Sequence, residues 1–244
     1  MRANYKLQRL YVHGALAAGV ALPLDDTQSH YLLTVLRKPD GAEMLAFNGH
    51  DGEWLCHIKR DSKKRALLLP VRQVRPQPEP STLRFLFAPL KVGRLDYLVE
   101  KATEMGAGTI EPVTTAFTQN RNVSVEKLGR WALEAAEQCG VLTVPQIAEP
   151  IALADTLATW DARVHLIFCD EDSPYDNPLE ALSRLQRGPL AILVGPEGGF
   201  SDAERAMLRA LPFVTAIPLG PRILRADTAA IAALTLVQAT LGDW

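Results

Sequence analysis

The 244-residue sequence contains only three cysteines, Cys56, Cys139 and Cys169, and no Cys-X-X-Cys pair. A disulfide framework or a structural zinc site requires more such residues at ligand spacing, so the sequence argues against both, and we expect no bound metal. It also lacks a run of eighteen uncharged apolar residues, because Asp227 and several polar residues interrupt the richest stretch, and no membrane span is expected. The N-terminus lacks a convincing signal peptide, which favours a cytoplasmic protein.

Neither sign of charge is in large excess, since 26 Lys and Arg face 28 Asp and Glu for a net charge of -2. The distribution is uneven, however. Residues 1–75 carry 12 basic and 7 acidic side chains, whereas residues 76–244 carry 14 and 21. A basic front attached to an acidic remainder slightly favours a polyanion-binding module at the front.

The first 75 residues consist of short apolar runs separated by turn formers such as Pro39-Asp40-Gly41, a pattern typical of a small β-barrel. One helix is predicted over 29–37. Its predicted apolar face consists of Tyr31, Leu32, Val35 and Leu36. Three prolines between residues 76 and 80 then form a stiff spacer, which we interpret as the boundary between domains 1–75 and 76–244.

After the spacer, strands alternate with helices, and the strands are continuously apolar. Leu190–Val194 is one example, and Phe213–Ile217 is another. Strands without alternation are expected when both faces of a parallel sheet are covered. The second part is therefore predicted to be an α/β domain that ends in a nearly all-apolar helix, which must be buried.

Two loops of this domain are site candidates. Residues 195–200 (GPEGGF) follow an apolar strand and precede a capping box, Ser201 to Glu204, that begins a helix. Glycines there allow the backbone to approach a ligand, although the loop matches neither GxGxxG nor a Walker A sequence, and a plain strand-to-helix turn explains it equally well. A second loop, 219–225 (LGPRILR), could hold an anion through its arginines or could be a charged connector.

Together these segments resemble a known family. Leu193–Ser201 (LVGPEGGFS) and Leu219–Thr228 (LGPRILRADT) are similar to the paired signatures of the knotted SPOUT methyltransferases, and most of all to the small-subunit rRNA uracil-N3 methyltransferase E family. The resemblance extends to residues 101–106 (KATEMG), 136–140 (AEQCG) and 35–37 (VLR), and it covers essentially the whole chain.

This resemblance implies an α/β protein with an N-terminal PUA-like β-barrel and a C-terminal parallel-sheet domain that contains a deep trefoil knot. It also implies a homodimer that uses S-adenosylmethionine to methylate N3 of a uridine in small-subunit (16S) ribosomal RNA, either free or in the assembled subunit. The cofactor-binding residues it implies are Leu193, Gly195, Pro196, Glu197, Gly198, Gly199, Leu219, Gly220, Pro221, Ile223 and Leu224.

The chemistry needs few groups, because methyl transfer is an in-line displacement that depends mainly on positioning. Uracil N3 carries a proton at neutral pH, so a base must remove it or a cation must stabilise the anion, and Arg225 and Asp227 are the candidates. For Asp227 we expect the N-cap role at the last helix instead. The candidates for RNA contact are Arg9, Arg37, Lys91, Arg94, Lys101 and Gln138.

Two positions depart from the family pattern: Val141 stands where an arginine is usual, and Asp227 where a glutamate is common. The missing arginine removes one presumed RNA contact. Two alternatives stay open, namely a knotted methyltransferase acting on tRNA or a ribose 2′-OH, and a non-catalytic RNA-binding protein of ribosome assembly.

Overall fold

The computed structural model describes residues 6–90 and 94–244 and divides into two compact units. The first unit extends to Pro80 and includes Ala136–Val144; the second comprises Ser81–Ala135 and Pro145–Trp244. The strands are β1 (Arg9–Tyr11), β2 (Leu22–Pro23), β3 (Glu43–Phe47), β4 (Glu53–Arg60), β5 (Ala66–Arg75), β6 (Arg84–Phe87), β7 (Thr109–Thr114), β8 (Gln146–Ile147), β9 (Ile151–Ala152), β10 (His165–Cys169), β11 (Leu190–Val194) and β12 (Val214–Ile217). The α-helices are α1 (Asp26–His30), α2 (Leu95–Glu104), α3 (Val125–Cys139), α4 (Leu153–Ala158), α5 (Pro178–Leu182), α6 (Asp202–Arg209) and α7 (Ala226–Thr240).

The first unit is built on a five-stranded sheet in the order β1-β3-β4-β5-β2. Only β1 and β3 run parallel; the other neighbours are antiparallel. The apolar runs of the sequence form these strands, and their inward side chains make a separate core. This core contains Leu10, Val12, Leu32, Met44, Cys56, Ile58 and Leu68 among others.

The helix predicted over 29–37 differs from the expectation. Helix α1 begins earlier, because Asp25 and Gln28 form a capping box, and it continues into a π-helical turn over Tyr31–Val35. A π-helix bonds each residue to the fifth one along, which shifts the angular phase of the side chains. The predicted apolar face is therefore confirmed only for Leu32, which is buried, and Leu36, which packs against the same core. It is wrong for Tyr31, which is 39% exposed, and for Val35, which is 59% exposed.

The second unit contains a sheet in the order β12-β10-β11-β6-β7-β8, with β9 also paired to β7. All of these pairs are parallel, which confirms the predicted parallel sheet. Alternate side chains of one strand enter two different cores: Ile192 and Val194 point to one face, whereas Ala191 and Leu193 point to the other. Both faces are apolar, and this explains the absence of alternation in the sequence.

Helices cover both faces of this sheet. Residues of α2, α3, α5 and α7 belong to one core, and residues of α4 and α6 to the other. Helix α7 buries one side, which includes Leu234 and Val237, whereas Ile231 and Leu236 remain partly exposed. The expectation that this helix is buried all round is therefore met on only one side of the isolated chain.

Two kinds of feature are absent from the described residues. No helix among them is long and apolar enough to cross a membrane. Within the same ranges, no group of three or more His, Cys, Asp or Glu side chains is arranged to hold a metal ion.

Candidate active site

Three loops of the second unit meet at the carboxyl edge of its sheet. They follow the neighbouring strands β10, β11 and β12, and they enclose a pocket of about 410 Å³. Open α/β sheets bind ligands at this edge, outside the carboxyl ends of the strands. The pocket is lined by Cys169, Asp170, Glu171, Val194, Gly195, Pro196, Glu197, Gly198, Gly199, Phe200, Leu219, Gly220, Arg222, Ile223, Leu224, Arg225, Ala226 and Ala229.

The structure brings together all but two of the residues that the resemblance assigns to the cofactor. The exceptions are Leu193 and Pro221. Leu193 lies within β11 and is completely buried in the core beneath the pocket, so its side chain supports the site from below. Pro221 lies in the loop after β12 but does not line the pocket.

The loop after β11 is compact because its glycines leave room for neighbouring groups. A Cβ at Gly195 would lie 2.5 Å from the ring of Phe200, which is too close for any side chain. Gly199 has a φ of +69°, a conformation that L side chains rarely adopt. Ser201 and Glu204 then form the predicted capping box at the start of α6.

The loop after β12 leaves hydrogen-bond donors available. Within the described residues, the backbone N–H groups of Leu219, Gly220 and residues 222–225 donate no hydrogen bond to the rest of the chain. Gly220 has a φ of +98°, and no atom of residues 6–90 or 94–244 lies within 4 Å of the position a Cβ would take. Such donors can bind the polar edge of a nucleoside, and apolar side chains such as Leu224 can contact its flat face.

The acidic residues that follow β10 were missed by the sequence reasoning. Asp170 is buried and receives hydrogen bonds from Arg205 and from Arg209, the latter through Nη2 at 2.6 Å. Glu171 also pairs with Arg205. Both acids line the pocket and both arginines lie on α6, so this network connects two of the pocket loops. The sequence did show two acidic residues directly after an apolar strand. Only the strand order, however, shows that they lie beside the glycine loop.

Two groups of the pocket have altered acidity. Burial alone would raise the pKa of Glu171, but its own backbone N–H and Arg205 outweigh burial and lower it. Glu171 is therefore a carboxylate at neutral pH, which suits a cationic ligand. Burial raises the pKa of the Cys169 thiol to about 12, and Asp170 adds to this effect. This thiol stays protonated and is a poor nucleophile.

The structure separates the two catalytic candidates. Arg225 is the N-cap residue of α7, it is exposed, and it lines the pocket. Asp227 lies inside the first turn, where its Oδ2 accepts a hydrogen bond from Arg94 Nη1 at 2.6 Å. The expected N-cap role of Asp227 is therefore wrong, because the helix begins at Ala226. The ion pair also leaves Asp227 less available as a base.

The structure corrects the expectation for Arg9. Its side chain is only 3% exposed, and its Nε donates to Glu53 Oε1 at 2.6 Å. Arg75 holds the same carboxylate through two hydrogen bonds and also donates to the carbonyl of Gly140. A buried guanidinium engaged in this way holds the first unit together and is not presented to RNA.

The other proposed RNA contacts lie in different places. Arg37 is exposed and has a φ of +50°, the left-handed region that L side chains other than Asn and Asp seldom enter. Gln138 is exposed near the end of α3, whereas Lys101 is half-buried and pairs with Glu104 at 2.5 Å. Lys91 lies outside the described residues.

Comparison with protein families assigns most of the chain. Residues 77–238 match the model of the RNA methyltransferase domain, and residues 24–71 match the RNA methyltransferase PUA domain. The ribosomal RNA small subunit methyltransferase E of Rickettsia conorii is 34% identical over 96% of this chain and 96% of its own length. This chain belongs to the ribosomal RNA small subunit methyltransferase E family. Both the resemblance and the prediction of an RNA methyltransferase are thereby confirmed.

A further relative and two solved structures are also similar to this chain. The methyltransferase E of Bacillus subtilis is 28% identical over 86% of each chain. The crystal structure of the Neisseria gonorrhoeae methyltransferase E bound to S-adenosylmethionine matches with a TM-score of 0.82 at 25% identity, covering 98% of this chain and 99% of that one. A Legionella pneumophila methyltransferase in complex with the same cofactor matches with a TM-score of 0.80 at 28% identity, covering 96% and 97%.

Proposed function

We propose that this protein transfers the methyl group of S-adenosylmethionine to N3 of a uridine in small-subunit (16S) ribosomal RNA. The observation that carries the proposal is the pocket at the carboxyl edge of the parallel sheet, in a chain of the methyltransferase E family. Its glycine loop, its free backbone donors and its ionised Glu171 fit a nucleoside that carries positive charge. Ribosomal RNA as substrate makes the cytoplasm the proposed site of action.

The cofactor, when bound, supplies an electrophilic methyl group on a sulfonium. The bond from sulfur to that carbon breaks as the bond to uracil N3 forms, and the N3 proton leaves to solvent. Within the described residues, no carboxylate pairs with the Arg225 guanidinium, so its charge is available to stabilise the uracil anion. Asp227 is then a positioning residue, because its ion pair with Arg94 fixes the start of α7 beside the pocket.

Binding of RNA is assigned in this proposal to the basic domain 1–75, with Arg37 as its exposed contact. Gln138, Arg94 and Lys101 are the contacts from residues 76–244. Arg9 no longer belongs to this set because it is buried. N3 lies on the Watson–Crick edge, so the target uridine must be unpaired or flipped out of a helix before methylation.

The trefoil knot and the homodimer belong to the same proposal. The strand order supports the knot. Strand β12 pairs with β10 on the edge opposite to β11. The chain then continues into α7, which packs on the same face of the sheet as α5. The partly exposed apolar side of α7 supports the dimer, since it leaves Ile231 available to a second copy.

The decisive experiment is mass spectrometry of the nucleosides of small-subunit rRNA from a strain that lacks the gene. We expect 3-methyluridine to disappear and to return when the gene is restored. Loss of a methylated tRNA nucleoside or of a 2′-O-methyl group instead would favour the other knotted methyltransferases. Calorimetry with S-adenosylmethionine tests the non-catalytic alternative, because a ribosome-assembly protein without methyltransferase activity would not bind this cofactor.

A further inference from the structure

A second cavity lies directly beside the cofactor pocket. It is an open hollow of about 460 Å³, and its lining consists of Ala116, Phe117, Thr118, Gln119 and Gly198. The first four residues belong to the loop that follows β7, and Gly198 belongs to the glycine loop after β11. Because Gly198 also lines the cofactor pocket, the two cavities share a wall.

The ring of Phe117 is unusual in this unit. It is 49% exposed, whereas Phe85, Phe87 and Phe168 are completely or almost completely buried in the cores. Its Cβ lies against the glycine loop, since a Cβ at Gly198 would be 3.2 Å from it. An apolar ring that remains in water beside a hollow has a face available to a flat partner.

Hydrogen bonds fix the loop that carries Phe117. Thr118 Oγ1 accepts from the backbone N–H of Thr115 at 2.8 Å, and Glu204 Oε1 accepts from that of Ala116 at 2.8 Å. The other oxygen of Glu204 accepts from the N–H of Ser201, the cap of α6, at 2.9 Å. One carboxylate therefore joins the Phe117 loop to the end of the glycine loop, so the ring is positioned before any ligand arrives.

We propose that this hollow is the subsite for the acceptor uracil, which stacks on the ring of Phe117. Every base offers a π-face to an aromatic side chain, and a flipped nucleotide needs such a platform to replace its lost neighbours. The exposed amide of Gln119 can donate a hydrogen bond to a uracil carbonyl. Because the hollow adjoins the cofactor pocket at Gly198, a base held there would lie beside a bound cofactor, and in-line transfer requires such proximity. This inference rests on the proposed function.

The test is single-turnover methylation of small ribosomal subunits isolated from the strain that lacks the gene. Phe117→Ala should slow methyl transfer by about tenfold or more, the range found when a base loses an aromatic partner. Phe117→Trp should retain most of the activity because it keeps a π-face, whereas Phe117→Leu should behave like the alanine variant. Leu179→Ala is the matched control, since Leu179 is 47% exposed on α5 and lines neither cavity.

Two further measurements separate stacking from other roles of the ring. Affinity for S-adenosylmethionine, measured by calorimetry, should be equal in the parent and in all three Phe117 variants. The sedimentation coefficient should be equal as well. A loss of cofactor affinity would assign Phe117 to the cofactor pocket, and a change in association state would assign it to a subunit interface; either result overturns the inference.

Gln119→Glu offers an independent check, because it keeps the size of the side chain and removes the amide donor. We expect slower methylation with unchanged cofactor affinity. Parent-like rates for both Phe117→Leu and Gln119→Glu would show that the base binds elsewhere. If the parent itself forms no 3-methyluridine, the proposed function fails; if it does and these variants match it, only the subsite is wrong.

Discussion

At the scale of single residues, the pocket depends on backbone conformations that a Cβ atom opposes. Gly199 has a φ of +69°, and a Cβ there would lie 3.3 Å from Glu171 Oε1. Gly199→Val should therefore reorganise the loop and abolish binding of S-adenosylmethionine, while strain of about 1–3 kcal/mol leaves the chain folded. Calorimetry and a melting curve would measure both effects. Gly188→Val is the control, because Gly188 is exposed and has open space around it. Normal binding of S-adenosylmethionine by Gly199→Val would refute the assignment of this loop to the cofactor.

Arg225 is the residue on which the chemical proposal depends most. Because Arg225 lines the pocket and Asp227 is engaged by Arg94, Arg225→Ala should slow methyl transfer about a hundredfold or more with little change in cofactor affinity or melting temperature. Arg225→Lys keeps the charge without the planar fork and should recover activity only in part. Single-turnover kinetics beside thermal melting would decide, and a destabilised variant that transfers methyl at the parent rate would end this interpretation.

At the scale of elements, one buried carboxylate joins three strands. Glu53 on β4 holds Arg9 of β1 and Arg75 of β5, and Arg75 also reaches the carbonyl of Gly140. Burial alone would raise the pKa of Glu53, but hydrogen bonds from Arg75 and Arg9 outweigh it and lower the pKa below its ordinary value of 4.5. A lowered pKa in the folded state means that the charged form stabilises the fold.

The stability that Glu53 contributes should therefore be complete above pH 4.5 and should decline as the pH falls through the lowered folded-state pKa. Glu53→Gln should reduce the free energy of unfolding at pH 7 by about 3 kcal/mol or more, since two guanidinium groups lose their partner. The same substitution should also make the free energy of unfolding depend less on pH in the acid range. Urea unfolding between pH 7 and pH 3 tests this, with exposed Glu79→Gln as control; parallel curves for parent and Glu53→Gln would contradict it.

At the scale of the whole molecule, the apolar side of α7 that the chain leaves partly exposed should form the dimer interface. Ile231 is partly exposed on this side and is not packed into the core, so Ile231→Asp should produce monomers by sedimentation velocity without unfolding the protein. Leu179→Asp, at an exposed position of α5, should leave the dimer intact. A monomeric parent at micromolar concentration would remove the dimer from the proposal.

The uneven charge of the two parts of the sequence also leads to a prediction. If domain 1–75 binds the RNA backbone, Arg37→Ala should weaken RNA affinity and reduce its salt dependence by about one released counterion. Cofactor binding should stay the same. Arg163→Ala is the control, because this side chain is 88% exposed in an ion pair with Asp161 and is not among the proposed contacts. Equal salt slopes for the Arg37 variant and the parent would exclude Arg37 from the RNA surface.

Local patterns in the sequence determined the elements and the two pocket loops. Apolar runs bounded by turn formers define β3 and β11, and the glycines of 195–199 require the backbone freedom that the structure uses. These features depend on neighbours along the chain, which a sequence displays directly. The family resemblance came from the same segments, because the residues that shape the cofactor loops are close together in sequence.

Only the tertiary structure decided which distant residues meet. The sequence suggested that Arg9 is a surface cation, but β4 places Glu53 beside it. It suggested that Asp227 is a helix cap, but α7 begins one residue earlier and Asp227 pairs with Arg94, the N-cap residue of α2. Asp170 lines the pocket, and Phe117 lines the neighbouring hollow, because parallel pairing brings the ends of β10 and β7 to the same edge as β11. Ion pairs and burial depend on which residues are close in three dimensions. The sequence alone does not show this, because it does not give the order of the strands in the sheet.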